Sequence, residues 1–131
     1  MIKYSDEISF DKEELSSLFL SVGWNSGKYP DKLYESIKNS TYHIFAYDGD
    51  KLIGLVAGLS DKCINLFISY ILVEPNYQKQ GIGAKLLNKI ISISKFNRIE
   101  LITDKKYKKF YEENSFFEDG VGMFKINWKD W

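Results

Sequence analysis

The chain has 131 residues, with 18 Lys+Arg against 18 Asp+Glu, 44% apolar and 16% aromatic residues. That length is expected to form a single domain over residues 1–131 with one core. The balanced charge leaves no net field to recruit nucleic acid or an anionic membrane, and the aromatic content argues against disorder. One cysteine, Cys63, and one histidine, His43, rule out an internal disulfide framework and a cysteine- or histidine-rich metal cluster, so no metal is expected. The first seven residues are too polar for a secretory leader, and no apolar run approaches the ~20 residues that span a bilayer. A cytoplasmic protein with no membrane partner is the expectation.

In chain order, residues 2–5 read as a short edge strand. Asp11 followed three residues later by Glu14 has the form of a capping box opening a helix on Leu15, Leu18, Phe19 and Val22. Gly23 to Gly27 breaks it. Pro30 and Asp31 start a second helix that ends near Ser40. His43–Asp48 and Lys51–Leu59 read as strands joined by the hairpin signal Asp48-Gly49-Asp50. A second turn at 60–62 leads into a nearly unbroken apolar strand, 64–73. Residues 81–94 carry Ile82, Leu86, Leu87, Ile90 and Ile91 at helical spacing. Residues 98–103 read as a strand set parallel to 64–73 by a right-handed crossover. A short helix near 106–114 and strands near 116–119 and 123–128 complete the reading. The expected fold class is α/β: a mixed, mostly antiparallel sheet with helices on both faces.

Between the apolar strand and the helix at 81–94 stands Gln78-Lys79-Gln80-Gly81-Ile82-Gly83. A buried strand that turns through glycine into a helix leaves the first helical N–H groups without intrahelical partners, at the positive end of the helix dipole. Such a turn suits an anion, and a pyrophosphate in particular. The run has no Gly-x-Gly-x-x-Gly, and no Lys-Ser or Lys-Thr follows Gly83, so the dinucleotide and P-loop readings do not apply. The backbone from Gln78 to Ala84 is the expected grip. Lys79 and Lys85 either add charge to it or belong to a solvated helix face.

The string Val73-Glu74-Pro75, then Gln-x-x-Gly-x-Gly, then Leu86-Leu87, resembles the acetyl-CoA motif of the GNAT superfamily of N-acetyltransferases. Phe110-Tyr111-Glu112-Glu113-Asn114-Ser115-Phe116 is similar to the second landmark of that family, Phe-Tyr-x-x-x-Gly-Phe, with Ser115 where Gly is usual. The resemblance covers essentially the whole chain. It implies transfer of an acetyl group from acetyl-CoA to a primary amine of a small molecule or peptide, by direct attack. It also implies cofactor contacts from Ile71, Leu72, Val73, Gln78, Lys79, Gln80, Gly81, Ile82, Gly83, Ala84, Lys85 and Phe110. The backbone N–H of Val73 would face the carbonyl oxygen, and Tyr111 would be general acid to the leaving thiolate, unless it is a core aromatic. Glu74 is either a base or water-organiser or an exposed loop carboxylate. Trp24 and Tyr29 would line the acceptor pocket, with Tyr70 where many relatives carry an acid. A non-catalytic acyl-CoA sensor and a protein acetyltransferase stay open as alternatives, as does a homodimer through Trp128 and Trp131.

Overall fold

Turn chemistry decides where the strands begin. β2 (Tyr42–Asp48) and β3 (Lys51–Ser60) form the expected hairpin, closed by the Asp48–Lys51 pair with Gly49 at φ +59°. Before β4 (Asn65–Val73), one carboxylate oxygen of Asp61 accepts the amides of Cys63, Ile64 and Asn65 at 2.9–3.1 Å. Those three bonds hold the Asp61 carboxyl below its ordinary range. β1 (Ile2–Ser5) pairs antiparallel with β2, and β5 (Arg98–Leu101) adds beyond β4, so the strand order is β1-β2-β3-β4-β5 in a mixed sheet. The computed structural model describes residues 1–131 as two units, Met1–Glu100 and Leu101–Trp131.

In the first unit, α1 (Lys12–Ser21) and α2 (Pro30–Lys38) cover one sheet face. Leu15, Leu18, Phe19, Leu33 and Ile37 are buried there against Phe45, Leu52, Leu55 and Leu72. α3 (Ile82–Ser94) covers the other face with Ile82, Leu86, Leu87 and Ile90. Half of the expected capping box forms. Asp11 Oδ1 accepts the Glu14 amide at 2.8 Å, whereas the Glu14 carboxylate reaches away to the Leu52 amide at 2.9 Å. The start of α1 is thus tied to β3 rather than to itself, a tertiary bond that local spacing does not announce.

A bulge in β4 decides which sheet face each half of that strand serves. Ala57 pairs with Tyr70 and Gly58 with Ile68, which leaves Ser69 as the extra residue. The extra residue shifts the side-chain phase of the strand. A Cβ on Gly58 would meet Leu66 Cδ1 at 2.7 Å and Ile90 Cδ1 at 3.4 Å, so Leu66 lies on the α3 face. Beyond the bulge, Tyr70 and Leu72 belong to the α1/α2 face. The apolar run that reads as one buried strand is two half-strands of opposite phase.

The second unit is built around α4 (Lys108–Glu113), preceded by a 3-10 turn, Lys105–Tyr107, which Asp104 caps through the Lys106 amide. α4 ends in a Schellman arrangement: the Phe116 amide bonds Tyr111 O at 3.0 Å and the Ser115 amide bonds Glu112 O at 3.2 Å, with Ser115 at φ +72°. A left-handed helix end is formed here, with serine in the role usual for glycine. The strands expected at 116–119 and 123–128 do not form; residues 116–127 carry no regular structure and Trp128–Asp130 makes a 3-10 turn. The alternation Phe124, Ile126, Trp128 suits a strand, but it has no ladder partner, and Gly120 at φ +75° breaks the extended path before it.

Candidate functional site

The connection from β4 to α3 is a series of backbone choices. Pro75–Tyr77 makes a 3-10 turn, Gln78 is extended, Lys79 takes φ +64° and Gly81 takes φ +83° as the residue before α3. α3 has no side-chain cap, and a Cβ on Gly81 would meet nothing within 4 Å. The first intrahelical bond is Lys85 N to Gly81 O, at 3.1 Å. As a result, the amides from Gly81 to Ala84, at the cap and first turn of α3, have no acceptor in the chain. They thus lie at the positive end of a 13-residue helix, an arrangement, or cradle, that suits an anion.

Side chains hold this backbone in place. Gln78 Nε2 donates to Val73 O at 2.9 Å, folding the start of the cradle onto the end of β4. Its side chain is therefore committed to the fold. Tyr77 Oη donates to Asp48 Oδ2 at 2.6 Å and anchors the 3-10 turn to the β2–β3 hairpin. Neither Tyr77 nor Asp48 stands out in the sequence, because the bond joins residues 29 positions apart. Lys79 is exposed on the cradle. The Lys85 ammonium instead lies 5.4 Å from the Tyr4 ring centroid, beside Lys89 at 5.3 Å, in an open groove of about 560 Å³ that also borders Gln80 and Gly81.

The direction of the Val73 N–H follows from the ladder. Glu74 N donates to Ile53 O at 2.7 Å across the Gly54–Val73 pair. In an antiparallel ladder the bonding edge alternates, so the amides of Ile71 and Val73 point away from β3. β5 begins low on β4, with Arg98 N donating to Ile64 O at 3.3 Å, and is only four residues long. Within the sheet, the upper half of β4 thus extends past its outer neighbour and presents the Ile71 and Val73 amides along that edge. The side chain of Val73 lies on the α3 face near Leu86, and Leu72 packs in the opposite core.

Glu74 stands at the top of β4. Its Oε1 accepts from Asn76 Nδ2 at 3.3 Å, while Oε2 is shielded from solvent and has no partner. A shielded carboxylate oxygen without a donor costs stability, of order 1–3 kcal/mol or more for a charged group. On the α1/α2 face the phase switch brings Tyr70 to Trp24 and Phe19: the Tyr70 ring is 6.3 Å from Trp24 and 5.2 Å from Phe19, and Phe19 is 5.7 Å from Trp24. Trp24 and Tyr70 are only partly buried, so this aromatic cluster has an open side. Tyr29 stands at the start of α2 and is 38% exposed. His43 stacks on Phe45 at 4.9 Å, a packing role.

In the second unit, Tyr111 is buried between Phe110 at 5.0 Å and Phe116 at 5.7 Å, both edge-on. Burial pushes its phenol up to about 12, with the nearby Tyr107 adding to the rise and the Thr103 hydroxyl opposing it. The group is neutral and holds an O–H at every physiological pH.

The sequence model of the Acetyltransferase (GNAT) family matches residues 10–116. The chain is 33% identical to the chloroplastic GCN5-related N-acetyltransferase 2 of Arabidopsis thaliana, over 97% of this chain and 58% of that protein. It is 28% identical to the histone acetyltransferase TAP1 of Glycine max, over 97% of this chain and 61% of that one. The chain spans about three-fifths of the length of these curated relatives. Among solved structures it superposes on the GNAT-family acetyltransferase SP0256 of Streptococcus pneumoniae TIGR4 with a TM-score of 0.80 and 28% identity, covering 98% of both chains. With SA2161 of methicillin-resistant Staphylococcus aureus, a probable acetyltransferase, the TM-score is 0.85 at 25% identity, over 97% of this chain and 100% of the other. The chain belongs to the acetyltransferase (GNAT) family.

Proposed function

We propose that this chain transfers the acetyl group of acetyl-CoA to a primary amine of a small molecule or peptide by direct attack, as a single catalytic domain. The observation that carries the reading is the run of amides from Gly81 to Ala84 without acceptors in the chain, at the uncapped start of α3. Acetyl-CoA supplies an activated thioester and a diphosphate of the charge and size this cradle fits. Gly81 keeps the approach to the amides open, and Gln78 couples the cradle to the carbonyl of Val73.

The other roles are assigned by the family resemblance, with the local geometry of each residue as support. The Val73 N–H, turned away from β3, donates to the negative charge that develops on the thioester oxygen; one preorganised donor of this kind contributes about 3 kcal/mol. The unpartnered Oε2 of Glu74 accepts from a water or from the incoming amine, helping the proton to leave. Tyr111 donates a hydrogen bond to the departing sulfur. Complete transfer from a phenol near 12 to an ordinary thiolate near ~8.5 is uphill by roughly 5 kcal/mol, so Tyr111 stabilises the sulfur charge and solvent completes the protonation. Trp24 and Tyr70 form the wall that meets the acceptor, since an aromatic surface suits an amine both before and after it loses its proton.

A protein amine is the second reading for the acceptor, favoured by the likeness to the histone acetyltransferase TAP1. The test is release of free thiol from acetyl-CoA over a panel of small amines, polyamines and lysine peptides. Acceptor-dependent release supports the proposal and ranks the two acceptor classes. Binding of acetyl-CoA with no release over the whole panel overturns catalysis and leaves an acyl-CoA sensor.

A further inference from the structure

We propose that the acceptor is a monoamine carrying an aromatic ring, and that Trp24 and Tyr70 select it against polyamines and lysine-rich peptides. This rests on the acetyl-transfer reading above and names its acceptor class. The Trp24 and Tyr70 rings stand 6.3 Å apart with a 42° tilt and are only partly buried, whereas Phe19, edge-on to both, is fully buried. Phe19 supports both rings from the core, and what they leave open is ring surface. Backbone seats Trp24 there. Its amide donates to Phe19 O at 3.1 Å, and its carbonyl accepts the Gly27 amide at 3.1 Å. Gly27 in turn lies so close to α1 that a Cβ would meet Ser16 O at 2.8 Å, so the loop is pressed onto the helix and the wall is formed in advance.

Charge decides the class. From Leu15 to Pro30 there is no Asp or Glu, and the only charged residue is Lys28; β4 from Asn65 to Val73 carries no charge at all. The acids that flank the first stretch, Glu14 and Asp31, are spent on the Leu52 amide and on Lys12. The carboxylate that follows along the strand is Glu74, with its unpartnered Oε2. Val73 faces α3, so by alternation Glu74 continues on the side of Tyr70 and Leu72. Four residues of strand set Tyr70 and Glu74 about 13 Å apart at Cα, room for one ring, a short linker and one ammonium. A single carboxylate answers a single ammonium. The second cation of a diamine, or the next lysine of a basic peptide, would meet rings that attract it weakly at an exposed site, on the loop that carries Lys28. An aromatic ring in that place stacks on Trp24 and Tyr70 and removes their open surface from water.

Free-thiol release from acetyl-CoA, with 2-phenylethylamine, cadaverine, spermidine and a lysine-rich peptide as acceptors, tests this. The parent should use 2-phenylethylamine about tenfold better than any of the others in kcat/KM. Trp24→Ala should raise KM for 2-phenylethylamine about tenfold to a hundredfold, with KM for acetyl-CoA unchanged as the sign that the variant is folded. Tyr70→Glu supplies the absent acid and should move the preference toward cadaverine by about tenfold. Cadaverine, spermidine or the peptide used better than 2-phenylethylamine by the parent overturns the proposal and leaves acetyl transfer standing. An order of preference indifferent to both variants does the same. No thiol release with any of these acceptors overturns acetyl transfer itself, and this proposal with it.

Discussion

In the proposed reaction the two units contribute in opposite ways. In Met1–Glu100 the groups assigned to the cofactor are backbone amides, set by a ladder, a bulge and a left-handed glycine; the side chains around them, Gln78, Tyr77 and Asp48, are spent on holding that backbone. In Leu101–Trp131 the contribution is a single phenol, held by neighbouring aromatic rings and by the ending of one short helix. The first unit should therefore tolerate many side-chain changes and few backbone ones, and the second the reverse.

The strongest way to break that contrast is at Gly81. Gly81→Val forces a β-branched residue to φ +83° and places a branched side chain over the amides, although its Cβ meets no protein atom. Acetyl-CoA affinity, measured calorimetrically, should fall on the order of a thousandfold, since several charge-assisted hydrogen bonds are lost together. Affinity within threefold of the parent would show that the cradle is elsewhere. Next in size is Val73→Pro. Because the Val73 N–H points away from β3, proline there removes the proposed donor without removing a β3–β4 ladder bond. Turnover should drop about a hundredfold, with a much smaller change in acetyl-CoA affinity and a thermal midpoint within a few degrees. Equal losses in binding and turnover would place that N–H outside the reaction.

The legibility of the sequence divides along the same line. Gly81 and the helix after it announce a cradle, because left-handed glycine and unpaired helical amides are local facts. The hairpin at Asp48-Gly49-Asp50 and the two-sided helix cover are readable for the same reason. What stays hidden is what depends on contact between distant residues. Ser69 looks like any polar residue in an apolar run, yet as the extra residue of the bulge it decides that Tyr70 faces Trp24. Glu14 looks like half of a capping box, yet it bonds Leu52. Gln78 reads as a contributor of backbone to the turn, and nothing in the local sequence announces that its side chain clamps Val73 O. At 123–128 the period-two pattern is one that strands carry, but a strand needs a partner that no periodicity supplies.

In the second unit, a side-chain change should matter. Tyr111→Phe keeps the ring and its edge-on contacts but removes the O–H, so turnover should fall about tenfold to a hundredfold with acetyl-CoA affinity nearly unchanged, as for a hydrogen bond to a charged group. The same pair of proteins sharpens the account of burial. Up to about pH 10 the Tyr111 phenol is protonated in both folded and unfolded chains. Between about 10 and 12 the unfolded chain loses that proton while the folded chain keeps it, so stability falls as pH rises through this window. Tyr4, Tyr47 and Tyr77 are also raised and add to the fall, so the quantity to measure is the difference between parent and Tyr111→Phe in denaturant unfolding. The parent should lose on the order of 2 kcal/mol more than the variant from pH 9 to pH 12. Parallel curves would mean that the phenol is hydrated.

The smallest effect tests how the helix carrying Tyr111 is ended. Ser115 occupies the left-handed position of the Schellman arrangement at φ +72°, where a side chain costs about 1 kcal/mol relative to glycine. Ser115→Gly should therefore stabilise the chain by about that amount, even though glycine adds entropy to the unfolded state. The gain arises where the Phe116 amide bonds Tyr111 O, and so it should be accompanied by slower hydrogen exchange at the Phe116 amide. Turnover should be unchanged, because the phenol is already held by Phe110 and Phe116 in the parent. A rise in turnover together with stability would mean that the serine-ended helix leaves Tyr111 loosely placed, and that in this unit too the backbone sets the rate.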